Sequence, residues 1–186
     1  ASAAAVLNPL SALFIFLGAF FYGVVYTVWL KRRSWLNIVI GGLSGSFAVL
    51  AGAAAVDPSL GAQPLLLALV LFLWTPPHFW SLAIAHHTDY AAAGVPMLPV
   101  VAGTARAARI VYANTVLLVA VSLLPLFFGA GAVYGLGALA GGLHFVRKAR
   151  ALSLAPSRKT AMASFFASMV QLSLLLAAVA VDAALR

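Results

Sequence analysis

The sequence contains no cysteine and no glutamate, and its acidic groups are three aspartates, Asp57, Asp89 and Asp182. Without cysteine there are no disulfides and no thiol chemistry. That absence carries no message about compartment, because membrane helices need no such staples. Charge of either sign is scarce: 8% of residues are charged, 65% are hydrophobic and the mean hydropathy is +1.10. A soluble domain of 186 residues could not hide that much apolar surface. The chain therefore reads as an all-α, polytopic transmembrane bundle in a lipid bilayer. The net charge of +8 invites a nucleic-acid partner, but the bases lie in short runs between apolar segments. That is the pattern of membrane topology, so no nucleic acid is expected. No internal repeat or low-complexity tract stands out beyond the Ala/Leu/Val bias. The opening "ASAAAVLNPL" has neither Met nor a basic run, so the chain is expected to be part of something longer.

Six apolar runs approach the length of a membrane crossing: 9–30, 36–56, 64–85, 110–128, 130–146 and 160–181. The fourth and fifth are parted only by the GAG at 129–131, and the fifth is short and glycine-rich. Lys31, Arg32 and Arg33 follow the first run, Arg106 and Arg109 the third, and Arg147, Lys148, Arg150, Arg158 and Lys159 the fifth. Ten of the eleven bases thus fall in alternate loops, and the remaining one, Arg186, is the last residue. The positive-inside rule places those loops in the cytoplasm and both ends of the chain outside. On the second run Asn37, Gly41, Ser44, Gly45, Ala48 and Gly52 share a face, which predicts close helix contact. Ser164, Ser168 and Gln171 form a polar stripe on the sixth, read with Asn114 as interhelical hydrogen bonding.

Asp57 and Asp182 fall at the face opposite the bases. They read as a turn residue and an interfacial acid, both cheap to hydrate. Asp89 differs. It sits in a long connection, 86–109, after an apolar run broken at Pro76-Pro77, in the stretch "LWTPPHFWSLAIAHHTDYAAAGVPMLPVV". The connection is too apolar for disorder and predicts a short helix near Asp89 followed by a cap over the bundle. Asp89 either caps that helix or serves a site. On the same side "YTVWLKRR" offers Tyr26 and three bases. These bind lipid head groups, or else hold a phosphate whose magnesium ion Asp89 ligates. His78 lies beside aromatic residues after the proline pair, where it would bond a neighbouring helix, line a pocket or ligate haem iron. His86 and His87 are adjacent and point apart on a helix, so they form no chelating pair.

The segments "YTVWLKRRSWLNIVIGGLSGS" (26–46) and "LWTPPHFWSLAIAHHTDYAAAGVPMLPVVAG" (73–103) resemble the protoheme IX farnesyltransferases, or haem O synthases, among the UbiA-type intramembrane prenyltransferases. The W-T-P-P-H-F-W and D-Y-x-x-x-G-V-P-M-L-P elements carry the resemblance, which is close over about 7–103 and extends to the later spans by hydropathy. It implies one transmembrane prenyltransferase-type domain over 1–186, its six spans matching helices four to nine of a nine-helix bundle. It implies transfer of a farnesyl group from farnesyl diphosphate to a vinyl group of haem b, giving haem O, with magnesium bound through the diphosphate. The second Asp motif of that family maps onto Asp89 and Tyr90, the catalytic candidates, with Asp89 the metal ligand. Lys31 and Arg32 match a basic pair that steadies the leaving diphosphate, and Tyr26 and His78 complete the expected substrate-binding set. Phe79, Trp74 and Trp80 are candidates for shielding an allylic cation, or else packing residues. The chain departs from the family in two places. The first motif, N-x-x-x-D-x-x-x-D, is absent together with a three-helix N-terminal portion, so the isolated chain is expected to be inactive. His86, His87 and Thr88 stand where many relatives carry Arg or Lys. A non-catalytic haem- or prenyl-lipid-binding remnant is the alternative. A transporter is disfavoured, because few paired polar sites lie at mid-membrane.

Overall fold

The computed structural model describes residues 7–185, which carry nine α-helices and no strand among them. They are α1 (Pro9–Phe20), α2 (Asn37–Gly41), α3 (Leu43–Val56), α4 (Ala62–Ala85), α5 (His87–Ala92), α6 (Leu98–Ala102), α7 (Thr104–Ser122), α8 (Ala132–Leu154) and α9 (Arg158–Ala184). Five helices are long and apolar enough to cross a membrane: Pro9–Leu30, Asn37–Val56, Ala62–Ala85, Thr104–Phe128 and Arg158–Ala184. The expected fifth span falls on α8, which has the length, 23 residues, but carries His144, Arg147, Lys148 and Arg150 in its C-terminal half. The bases read as loop residues therefore sit largely on helices. Arg106 and Arg109 lie in the first turns of α7, and only 155–157 separate α8 from α9. Arg186 lies outside the described residues.

The helices run up and down, so 31–36, 86–103 and 155–157 gather at one end of the bundle, and 57–61 and 129–131 at the other. Small residues explain why α7, α8 and α9 sit close. A side chain at Gly141 would meet the Gln171 backbone at 2.9 Å, and one at Gly142 would meet Val119 at 2.8 Å. Tyr134 and Phe145 fill the space left between those helices. At Gly129 the backbone is left-handed (φ 93°), a conformation glycine adopts without cost, and this turns the chain from the 3-10 turn Leu124–Phe128 into α8.

The third run forms one helix, α4, which continues through Pro76 and Pro77. Two hydroxyls bond carbonyls nearby, Thr75 to Leu71 (2.9 Å) and Ser81 to Pro77 (2.7 Å), neither being the Phe72 or Leu73 carbonyl that the prolines leave without an N–H donor. The second span also runs on through Gly42, between α2 and α3, which keeps helical dihedrals (φ −59°, ψ −25°) and donates its N–H to the Ile38 carbonyl at 2.9 Å. On its small-residue face, Ala48 and Gly52 are exposed and nothing lies within 4 Å of a Gly52 side chain. The buried positions are Asn37, Ile38, Gly42, Ser46, Ala51 and Ala54, with Ser46 bonded to α4 and Ala51 to α1. Asp182 is not hydrated. It is 4% exposed, and its carboxylate accepts from the Gly131 N–H (2.8 Å) and the Tyr134 N–H (3.3 Å) at the start of α8. Asp57 does make a turn, accepting from the Ser59 N–H (2.9 Å) and hydroxyl (2.8 Å). These bonds hold its pKa below the usual carboxylate value.

Candidate functional site

After Phe20 the first span changes winding, and Phe21–Leu30 is a π-helix. Its wider turn bonds residues five apart: the Lys31 N–H donates to the Tyr26 carbonyl (2.9 Å), and the Thr27 hydroxyl to the Tyr22 carbonyl (2.7 Å). The winding delivers Thr27, Lys31 and Arg32 to one edge of the bundle end.

Opposite that edge, α4 ends at Ala85 and the chain re-enters a helix at His87, turning at His86 (φ −117°, ψ 33°). Asp89 lies in the first turn of α5. Its carboxylate takes no backbone N–H; instead Oδ2 pairs with His86 Nδ1 at 3.0 Å. The side chain of Asp89 is 75% exposed. Helix-capping therefore does not account for it. The cap over the bundle follows, with Val95, Met97, Leu98 and Pro99 buried.

These two edges enclose a cavity of about 560 Å³ lined by Thr27, Lys31, Arg32, Asp89, Tyr90, Ala93 and Val95. Four of the six residues singled out from sequence, Lys31, Arg32, Asp89 and Tyr90, thus meet in one open basin. Burial pushes the Tyr90 phenol above its ordinary pKa, so it stays neutral and available as a hydrogen-bond donor. The basin offers cationic donors on one wall and one carboxylate on the other.

Tyr26 lines a second, apolar cleft of about 350 Å³ with Tyr22, Ile38, Gly41, Gly42, Ser44, Gly45, Leu71, Trp74, Thr75 and Phe79. Its chain neighbour Thr27 lines the basin, so the cleft adjoins the basin. Sequence reasoning missed Thr27, Tyr22 and the glycine wall; the tyrosine spacing 22–26 was the available signal.

His78 lines neither cavity. It is stacked between Trp74 (4.1 Å between ring centroids) and Phe165 (4.5 Å), and Nδ1 pairs with the Ser168 hydroxyl at 2.7 Å. The Trp74 indole donates to the Ser168 carbonyl (2.9 Å), and Ser81 pairs with Ser164 (2.9 Å). Of the uses considered for His78, the structure shows the interhelical bond, between α4 and α9. Phe79 and Trp74 face the cleft, whereas Trp80 is buried against Trp35 (6.5 Å). Gln171 on the same stripe is fully buried, and neither end of its amide has a partner among the described residues.

Fold and site together define a class: a multi-pass membrane helix bundle with a rim of bases and one carboxylate above an apolar cleft. The sequence profile of the UbiA prenyltransferase family matches residues 1–170. The chain belongs to that family. It is similar to protoheme IX farnesyltransferase 2 of Paramagnetospirillum magneticum (strain ATCC 700264 / AMB-1), 63% identical over 182 residues, covering 98% of this chain and 63% of that protein. Protoheme IX farnesyltransferase 1 of the same organism is 55% identical over 183 residues, covering 98% and 65%. Protoheme IX farnesyltransferase 1 of Cenarchaeum symbiosum (strain A) is 45% identical over 179 residues, covering 96% and 60%. The chain thus spans less than two thirds of the length of these curated relatives. No solved structure matches it significantly.

Proposed function

We propose that this chain supplies the diphosphate-holding rim and prenyl-tail cleft of a protoheme IX farnesyltransferase, which moves a farnesyl group from farnesyl diphosphate to a vinyl group of haem b and yields haem O. The carrying observation is the convergence of Lys31, Arg32, Asp89 and Tyr90 on one basin that adjoins an apolar cleft. Lys31 and Arg32 hold the anionic oxygens by charge-assisted bonds. They also stabilise the charge that develops on diphosphate as the allylic C–O bond breaks. The Tyr90 phenol donates a further hydrogen bond at that rim. The farnesyl tail lies in the cleft, where the faces of Tyr26, Trp74 and Phe79 stabilise allylic positive charge. By the distribution of bases, the rim is cytoplasmic and the bundle sits in the cell membrane.

Magnesium is tested by the donor set. The ion binds through one or two carboxylates together with phosphate oxygens and water. Asp89 is exposed, with Oδ2 engaged only by a neighbouring imidazole, and it fits as one such ligand. When bound, the ion would supply Lewis-acid neutralisation of the diphosphate. Asp57 sits a helix length away, about 36 Å along the 24 residues of α4. Asp182 caps α8 at that same end. Among the described residues no cluster of three His, Cys, Asp or Glu could hold a metal alone. In this proposal the further carboxylates come from a helical portion that relatives carry and these 186 residues do not.

The test is haem O in membranes of cells expressing this chain, an N-terminal three-helix fragment of a relative, or both. Product should require both, because spans stable in the bilayer can reassemble. Asp89→Asn in the pair should remove most of it. Robust product from this chain alone, or full activity with Asp89→Asn, overturns the proposed site.

A further inference from the structure

The apolar cleft has a definite depth order. Helix α4 runs toward the rim, so Phe79 lies highest, Trp74 and Thr75 about a turn lower, and Leu71 lowest, about 12 Å below Phe79. The α2–α3 wall runs the other way from the rim loop, giving Ile38, then Gly41 and Gly42, then Ser44 and Gly45. Contacts confirm the layers. A side chain at Gly41 would meet the Tyr26 ring at 2.8 Å, one at Gly42 would meet Thr75 at 3.1 Å, and one at Gly45 would meet the Leu71 tip at 3.3 Å. Further down α3, Phe47 is held against Phe21 (5.3 Å) and Phe14 (6.2 Å). The space is therefore bounded below by the pair Gly45 and Leu71, with Tyr22 beside them.

The three wall glycines are not equivalent. At Gly41 a new carbon strikes an aromatic ring, and at Gly42 it strikes Thr75 and the carbonyls of Ile38 and Val39. At Gly45 it meets only the end of one flexible leucine. A larger residue there fills cleft volume instead of forcing the helices apart.

We propose that Gly45 and Leu71 form the floor of the cleft and set the length of the prenyl chain it accepts. This rests on the assignment of the basin and cleft to a prenyl diphosphate. Bulk at position 45 shortens the cleft from below and leaves the rim untouched. Removing bulk at position 71 deepens it.

The test uses the chain co-expressed with the N-terminal three-helix fragment of a relative, purified in lipid nanodiscs, with the thiolo-diphosphate analogues of geranyl, farnesyl and geranylgeranyl diphosphate. Binding is read from tryptophan fluorescence, since Trp74 lines the cleft. Gly45→Val should shift the affinity ratio toward geranyl by roughly tenfold, the scale one or two methylenes are worth in an apolar pocket. Leu71→Ala should shift it toward geranylgeranyl, and it serves independently should Gly45→Val not fold. A farnesyl analogue with a terminal diazirine should crosslink at Leu71 or beside Gly45. Binding with unchanged length ratios in both variants, or crosslinks confined to the rim, overturns the floor. Failure of the wild-type pair to bind any of the three analogues overturns the prenyl-diphosphate assignment, and the floor with it.

Discussion

Replacing Asp182 should destabilise the bundle although the residue lies far from the rim. Its carboxylate takes two N–H groups that begin α8, from Gly131 at 2.8 Å and Tyr134 at 3.3 Å, in a place only 4% exposed. Tyr134 in turn donates its phenol to the Ser122 carbonyl at 2.6 Å. One acid near the end of α9 thus fixes the start of α8, and through it the turn from α7. In Asp182→Ala the two N–H groups are left without an acceptor where water scarcely reaches. Each orphaned donor costs about 1–3 kcal/mol, so a loss of about 2–6 kcal/mol is expected. For a chain of this size each kcal/mol shifts Tm by roughly 2–4 °C, giving a fall of roughly 4–24 °C. Asp182→Asn keeps a carbonyl acceptor and loses only the favourable meeting of an anion with a helix N-terminus, about 0.3–1 kcal/mol. Thermal unfolding of the purified protein in detergent measures both. An alanine variant as stable as wild type would show that the cap contributes nothing and that the carboxylate is solvated after all.

Other substitutions probe separate joints. Gly141→Ala places a carbon 2.9 Å from the Gln171 backbone and should cost about 1–3 kcal/mol by overpacking; unchanged thermal stability would contradict the close approach of α8 and α9. Ser168→Ala deprives His78 Nδ1 of its partner and should cost about 1 kcal/mol, while the Trp74 bond to the Ser168 carbonyl survives; a loss of substrate binding without loss of stability would instead make His78 a ligand contact. Because the chain has no cysteine, Ala91→Cys and Ser59→Cys give clean topology reporters. An impermeant thiol reagent on intact cells should label position 59 and spare position 91, and the reverse would place the rim outside.

Much of this was readable in advance because hydrophobic length and the placement of bases act over whole segments. The helical class and the gathering of Lys31, Arg32, Asp89 and Tyr90 at one end follow from run lengths and alternating loops. What escaped was local. The π winding of Phe21–Leu30 has no periodic signature, since every position there except Gly23 and Thr27 is aromatic or aliphatic. Without that winding, the relation of Tyr22 and Tyr26 to the basic edge could not be drawn. Gly41 and Gly45 were read as helix contacts and do lie against Tyr26 and Leu71; that together with Gly42 they also wall a cleft was not legible. Asp182 was taken as a hydrated interfacial acid because sequence does not show that the start of α8 folds back onto the end of α9.

The central claim is that the basin at Lys31, Arg32, Asp89 and Tyr90 receives a diphosphate while the neighbouring cleft receives its apolar tail. The most direct measurement compares farnesyl diphosphate with farnesol binding to the chain purified together with the N-terminal three-helix fragment, as wild type and as the double variant Lys31→Ala, Arg32→Ala. The double variant should lose roughly tenfold or more in affinity for farnesyl diphosphate, about 1.4 kcal/mol, and bind farnesol as wild type does. Equal affinity of both proteins for farnesyl diphosphate would contradict the assignment of the basin.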